Sequence, residues 1–114
     1  MTVQDLQTAC GLQALVSNEK SLGGEVSGCY IGDLLSWAMS RAGEKEAWIT
    51  VMGNVNAIAV AVLAECACII LCDHAPLDEE ARIRAEQQGV VVLQSEERAY
   101  TLALKMGALL APKE

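Results

Sequence analysis

The fold depends on how one apolar stretch is read: AIAVAV, residues Ala57–Val62. Small and β-branched residues alternate along this stretch, which is a strand-like period. As a strand, it would form an antiparallel hairpin with the apolar segment Ala47–Met52 through a turn at Gly53–Asn56. We favour a helix, because the strands predicted on either side are apolar on both faces, and parallel strands need a crossover connection between them.

The segments around this stretch alternate between strand-like and helix-like patterns. Ala47–Met52, Cys68–Cys72 and Gly89–Leu93 are short apolar runs without a polar side, as expected for strands covered on both faces. Asp78–Gln88 and Glu96–Leu110 are rich in helix formers and have a polar side. The alternation predicts an α/β fold: a three-layer sandwich with a mostly parallel sheet built from βα units.

The N-terminal third is predicted to begin with a helix that Thr2 and Asp5 cap and that Gly11 ends. No linker or low-complexity tract interrupts the chain, so residues 1–114 are predicted to form one domain. The predicted elements that follow the first helix are a strand over Leu12–Val16, turns over Ser17–Glu25 and a second strand over Val26–Ile31.

Composition and charge exclude several classes of protein. Eight Lys and Arg against fifteen Asp and Glu give a net charge of −7, which argues against binding to nucleic acid or to an anionic membrane. The apolar run Ala57–Cys72 is shorter than the roughly 20 residues of a spanning helix, and Glu65 interrupts it. Five cysteines without framework spacing, and the lack of a signal-peptide pattern at Met1–Asp5, predict a cytoplasmic protein with free thiols.

Four stretches carry a resemblance to a known family: Gly28–Ser36, Trp48–Val51, Asn56–Ala61 and Gly89–Leu93. In ordered pattern they resemble the DRTGG domain, over nearly the whole chain. The resemblance implies an α/β domain, usually dimeric, with no established activity. Members of the family are fused to tandem CBS domains in regulatory pyrophosphatases, and the domain is similar to the N-terminal part of HPr kinase. The resemblance also implies a glycine pair after the strand that ends near Leu71, where this chain has Cys72 and Asp73.

Polar residues are predicted at the carboxyl ends of the three best-defined strands. In open α/β sheets that edge is where ligands bind, and helix N-termini there offer free amides to an anion. Some of these residues have the alternative role of capping the helices that follow. We expect a pocket that binds a nucleotide or another small anionic ligand, formed by Thr50, Asn54, Asp73, His74 and Ser95.

A second set of residues is predicted to mediate self-association. A helix that is apolar on every side cannot be half solvated, so the outer face of the helix over Ala57–Val62 should be covered by a second subunit, with Ile58 and Val62 as contacts. In the helix that begins near Asp33, Leu34, Leu35, Ala38 and Ala42 share one face. Trp37 falls on the opposite flank, where it is either an incidental exposed aromatic or an interface anchor.

The cysteines allow an alternative function, and the sequence offers no catalytic one. A metal- or thiol-based redox accessory protein would use Cys66, Cys68, Cys72 and His74, although a straight strand would place Cys66 and His74 roughly 25 Å apart. No glycine-rich loop is followed by a Lys-Ser/Thr pair, which excludes the phosphate-binding motif of a kinase. We therefore predict a non-catalytic homodimeric regulatory or assembly module without a cofactor or metal. Its candidate partners are a small anionic ligand or nucleotide and a protein.

Overall fold

The computed structural model describes residues 1–110 and contains six helices and five strands within them. The elements in chain order are α1 (Val3–Cys10), β1 (Gln13–Val16), α2 (Glu19–Leu22), β2 (Gly28–Ile31), α3 (Leu35–Arg41), β3 (Glu46–Thr50), α4 (Val55–Ala64), β4 (Cys68–Leu71), α5 (Glu79–Gln88), β5 (Val92–Gln94) and α6 (Ala99–Leu109). No helix in this part of the chain combines the length and the apolarity needed to cross a membrane.

The five strands form one sheet in the order β1-β5-β4-β3-β2. The pairs β2–β3, β3–β4 and β4–β5 are parallel, and only β1 at one edge is antiparallel to its neighbour. Helices α3, α4 and α5 are the crossovers between successive parallel strands, as the βα alternation requires. The predicted α/β sandwich with a mostly parallel sheet is confirmed.

The stretch that decides the architecture, Ala57–Val62, lies inside helix α4 and not in a strand. Asn54 caps this helix, since its side-chain oxygen accepts a hydrogen bond from the backbone N–H of Ala57 at 2.9 Å. The helix ends at Ala64, Glu65 caps it in the left-handed conformation, and β4 begins three residues after Glu65. The hairpin alternative is therefore excluded, and the apolar run is divided at Glu65 as predicted.

Helices cover both faces of the sheet. Because successive side chains of a strand point to opposite sides, each strand contributes residues to both cores. On one face, Ala47 and Ile49 of β3 belong to the cluster that helices α1 and α6 cover. On the other face, Trp48 packs with residues of α3, α4 and α5. The sandwich consequently has three layers, with the sheet in the middle.

The sequence predictions fail at several boundaries. The segment predicted as turns contains the short helix α2, which Asn18 caps by accepting a hydrogen bond from the backbone N–H of Ser21. Gly89 does not start a strand but ends α5 with a positive φ of 73°, a conformation that glycine adopts without cost. Leu34 does not share the buried face of α3: it precedes the first helical residue, and 59% of it is exposed.

Candidate ligand site at the carboxyl edge of the sheet

Strands β3, β4 and β5 end side by side, because Thr50 pairs with Leu71 and Leu71 pairs with Gln94 in the parallel register. The five predicted ligand residues lie at these strand ends or in the loops that follow them. The sequence therefore correctly placed them at one edge of the sheet. Whether they bind a ligand stays a prediction, and their individual contacts differ widely.

The hydroxyl of Thr50 is hydrogen-bonded to Asp33, a residue that was not among the predicted ligand residues. Thr50 Oγ1 donates a hydrogen bond to Asp33 Oδ1 at 2.7 Å and accepts one from the backbone N–H of Met52 at 3.2 Å. Asp33 also accepts a hydrogen bond from the backbone N–H of Val51 at 3.0 Å. Asp33 follows strand β2, so its position after a parallel strand was the signal that could have identified it.

Asn54 and Ser95 have structural roles at this edge. Asn54 is the cap of α4, which is the alternative role that the sequence left open. Ser95 is buried, and its hydroxyl oxygen accepts a hydrogen bond from the backbone N–H of Glu97 at 3.0 Å. Their side-chain oxygens are therefore already paired with backbone amides of the loops that they organise.

Asp73 and His74 form the exposed part of the edge. Both adopt the left-handed conformation, with φ of 55° and 52°, which is uncommon for residues other than glycine. The family resemblance implied a glycine pair at positions 72 and 73. In the structure the two left-handed residues are instead at positions 73 and 74. The turn is held by the backbone N–H groups, since Asp73 donates to the carbonyl of Glu97 at 2.7 Å and His74 donates to that of Ser95 at 2.8 Å.

The charge at this edge is mainly negative. His74 Nδ1 lies 2.9 Å from Glu96 Oε1, and both side chains are largely exposed. Lys105 of α6 pairs with Glu97 at 2.6 Å. Four carboxylates lie in these loops against the two permanent cations Arg98 and Lys105, so the net charge is negative and a free anion would be repelled at the exposed edge. The carboxylates concerned are those of Asp33, Asp73, Glu96 and Glu97.

The backbones of the loops after β3 and β4 are in close contact at this edge. A β-carbon added to Gly53 would lie 2.0 Å from the carbonyl oxygen of Pro76, so only glycine allows this approach. The backbone N–H of Asp78 also donates a hydrogen bond to the carbonyl of Gly53 at 2.8 Å. The edge is thus a preorganised surface whose shape depends on one glycine.

The three residues predicted for self-association lie on the helical layer formed by α3, α4 and α5. Trp37 is 54% exposed and Val62 is 41% exposed, as a contact with another chain requires. Ile58 is only 1% exposed and belongs to the core of its own protomer, so its proposed role as an outer contact needs correction. The outer side of α4 is formed instead by Ala59, Val62 and Leu63.

The cysteine cluster is not assembled as a metal site. Cys68 and Cys72 point into the core on the α1–α6 side of the sheet, whereas His74 is exposed at the carboxyl edge. Cys66 precedes β4 at the opposite end of the strand. Within residues 1–110, no group of three or more His, Cys, Asp or Glu side chains is arranged to hold a metal ion. All five cysteines are free thiols.

The thiols are also poorly suited to redox chemistry, because the reactive species is the thiolate. Burial, with the negative charge of Glu46 as a second cause, raises the pKa of Cys29 to about 12 and that of Cys66 to about 11. Burial likewise raises the pKa of Cys68, of which only 1% is exposed to an attacking reagent. Each of these groups therefore keeps its proton at neutral pH.

We expect alkylation of the folded protein by N-ethylmaleimide to be slow at pH 8. A raised pKa means that the thiolate forms only at higher pH, so the rates at Cys29 and Cys66 should keep rising through pH 10 and above, instead of levelling near the ordinary thiol pKa of 9. Mass spectrometry of time points measures the rates, and protein in denaturant is the control in which all five thiols react. Rapid modification of Cys66 at pH 7 would contradict this view and would favour the redox alternative.

Comparison with solved structures identifies a similar fold. The chain is similar to the crystal structure of the CBS and DRTGG domains of the regulatory region of Clostridium perfringens pyrophosphatase, complexed with the activator diadenosine tetraphosphate. The TM-score is 0.72 at 11% sequence identity, and the match covers 92% of this chain and 45% of that chain. This chain therefore spans less than half of that regulatory region, and the likeness shows the fold. No curated protein matches the sequence significantly.

The family follows from the sequence match itself. The model of the DRTGG domain matches residues 5–109, from the first turn of α1 to the last residue of α6. The match includes all five strands and the loops that form the carboxyl edge. This chain belongs to the DRTGG domain family.

Proposed function

We propose that this chain is a non-catalytic, cytoplasmic regulatory or assembly module, a homodimer whose carboxyl edge binds a small nucleotide-like ligand. The observation that carries the proposal is the match to the DRTGG domain over residues 5–109. The related regulatory region of the pyrophosphatase, which contains DRTGG and CBS domains, is complexed with diadenosine tetraphosphate, and this supports a nucleotide as the class of ligand.

The chemistry of the edge favours particular parts of such a ligand. The exposed carboxylates of Asp33 and Asp73 are acceptors for ribose hydroxyls, a role that acidic residues have at this edge of other nucleotide-binding sheets. The His74 imidazole is exposed and donates to an anion when protonated. Because the surrounding charge is negative, the phosphates would bind as a complex with a divalent cation, which removes their repulsion.

Titration calorimetry with diadenosine tetraphosphate, in the presence and absence of Mg²⁺, tests the ligand. We expect heat of binding that requires Mg²⁺, and none with inorganic phosphate. His74→Asn removes the imidazole but tolerates the left-handed backbone. It should weaken binding by about tenfold or more, the effect of losing one hydrogen bond to a charged group.

Glu44→Gln is the matched control, because Glu44 is an exposed carboxylate in the loop before β3, at the opposite end of the strands. This variant should bind the dinucleotide like the unmodified protein. An absence of heat with diadenosine tetraphosphate, ATP and AMP, each with Mg²⁺, would contradict the proposed ligand class. A tenfold loss of affinity for the dinucleotide in Glu44→Gln would show that the weakening is not specific to substitutions at the carboxyl edge.

The proposed homodimer is supported by the composition of α4. The helix has no charged residue, and 68% of Leu63 is exposed on its outer side together with Val62 and Ala59. An apolar helix is stable in water when its outer side is covered. A second copy of the chain covers this face symmetrically and leaves the carboxyl edge of each sheet open to the ligand.

A further inference from the structure

The carboxylate of Asp33 is held in place by the strand beside it, and only one of its two oxygens is used for this. Oδ1 accepts a hydrogen bond from Thr50 Oγ1 at 2.7 Å and another from the backbone N–H of Val51 at 3.0 Å. Oδ2 has no hydrogen-bond partner among residues 1–110, and the residue is exposed to solvent. Asp33 therefore offers an oriented and unpaired acceptor at the carboxyl edge.

Apolar residues adjoin Asp33 at the ends of β2 and β3. Two of them flank it in the chain, and the third is the residue whose backbone N–H binds Oδ1. All three are between 44% and 59% exposed, although parallel sheets are normally buried on both faces. This part of the edge therefore combines a fixed acceptor with uncovered apolar side chains, which are those of Ile31, Leu34 and Val51.

We propose that Asp33 binds the ribose hydroxyls of a nucleotide whose base lies against these apolar side chains, so that the site selects ribonucleotides. This inference rests on the nucleotide ligand proposed above and narrows its class. A ribose hydroxyl donates a hydrogen bond to Oδ2, and the apolar faces of a nucleobase match the neighbouring side chains. The carboxylate of Asp73 has no hydrogen bond within residues 1–110 that would orient it in the same way.

The charge of the edge favours the nucleoside half of the ligand at this position. A nucleoside is uncharged, so the carboxylates that repel a free anion do not repel it. Strands β2, β3 and β4 are neighbours in the sheet, and the usual strand spacing places the ends of β2 and β4 roughly 10 Å apart. The 5′-phosphates therefore extend across the end of β3 towards His74, which follows β4.

Thr50 acts on the ligand through Asp33. Its hydroxyl has a single proton, which it donates to Asp33, so none remains for a ligand. The hydrogen bond restricts rotation of the carboxylate, and an acceptor that is already oriented loses less freedom when a ligand binds. Thr50 is therefore a positioning residue, and Asp33 is the residue that contacts the ribose.

Titration calorimetry with ATP and with 2′,3′-dideoxy-ATP, each with Mg²⁺, tests the inference, because the two nucleotides differ only in the ribose hydroxyls. We expect dideoxy-ATP to bind about tenfold or more weakly, the effect of losing a hydrogen bond to a charged group. Asp33→Asn keeps one oxygen for the bonds from Thr50 and Val51 but replaces Oδ2 with an NH₂ group. The preference for ATP should decrease about threefold or more, because a neutral amide forms a weaker hydrogen bond than a carboxylate.

The ratio of the two affinities is the readout, because removing a charge affects both nucleotides equally. Thr50→Ser keeps the hydroxyl and should keep the preference, whereas Thr50→Val removes the hydroxyl and should reduce the preference about threefold. Leu34→Ser should weaken the binding of both nucleotides by the same factor, about threefold or more, because it removes an apolar contact only. Glu44→Gln is again the control and should bind both nucleotides like the unmodified protein.

The outcomes separate this inference from the proposed function. Equal affinities for ATP and dideoxy-ATP would overturn the ribose contact and leave the nucleotide class standing. A preference that survives in Asp33→Asn but is lost in Asp73→Asn would also overturn it, since the contact would then be at the other carboxylate. Unchanged affinities in Leu34→Ser would overturn the placement of the base. An absence of binding by ATP and by diadenosine tetraphosphate would contradict both the proposed function and this inference.

Discussion

Replacing Gly53 with alanine should destabilise the protein by at least about 2–3 kcal/mol, the range for a substitution that overfills a packed site. The new β-carbon would lie 2.0 Å from the carbonyl oxygen of Pro76 and 3.0 Å from its carbonyl carbon. Both are backbone atoms, so no side-chain rotation relieves the clash. The loops after β3 and β4 must separate, which also breaks the hydrogen bond from Asp78 to Gly53. Thermal unfolding measures the loss, with an expected decrease in Tm of roughly 10 °C or more.

Gly107→Ala is the matched control for this substitution. Gly107 lies inside α6, and a β-carbon there meets no atom within 4 Å. Alanine in a helix interior is favoured over glycine by about 0.5–1 kcal/mol, so this variant should be more stable than the unmodified protein. Equal melting temperatures for the Gly53→Ala variant and the unmodified protein would contradict the close contact between the two loops.

Trp48→Ala should cost about 3–5 kcal/mol, the usual loss for removing a large buried aromatic side chain. Trp48 belongs to β3 and has no exposed surface, and its side chain packs between the sheet and the helices α3–α5. Its indole N–H also donates a hydrogen bond to the carbonyl of Gly32 at 2.9 Å, and the variant leaves that carbonyl without its donor. Because small domains have only about 5–15 kcal/mol of stability, the variant should be close to unfolding.

Urea titration followed by circular dichroism measures this loss, and Trp37→Ala is the control. Trp37 is exposed, so its removal should change the unfolding free energy of the monomer by no more than about 0.5 kcal/mol. The comparison is made at a concentration at which native mass spectrometry detects only the monomer. If both tryptophan variants unfolded at the same urea concentration, the assignment of Trp48 to the core would be wrong.

The architecture could be predicted because its signals are local and repeated. The runs Cys68–Cys72 and Ala47–Met52 are apolar on both faces, and this property by itself requires a sheet covered on two sides and helical crossovers between its strands. The same requirement decided the ambiguous stretch Ala57–Val62, whose own period of two would have predicted a strand. A constraint from the flanking strands outweighed the local pattern.

The contacts of the candidate site could be predicted only in part. Parallel strands bring their carboxyl ends to one edge, so placing Thr50 and His74 there needed no coordinates. The partner of Thr50 did not follow, because Asp33 is 17 residues away and comes after another strand. The burial of Ile58 was missed for a similar reason: a helix that is apolar all round does not indicate which of its sides faces a neighbouring helix.

The sequence by itself determined the class of fold, the division of the apolar run at Glu65 and the edge at which the polar loops gather. Each of these follows from the spacing of apolar residues and from the caps at the ends of elements, which are properties of neighbouring residues. Tertiary structure alone decided which polar groups are already paired, that Trp48 is buried while Trp37 is exposed, and why position 53 accepts only glycine. These properties depend on distances between segments far apart in the chain, and only packing sets such distances.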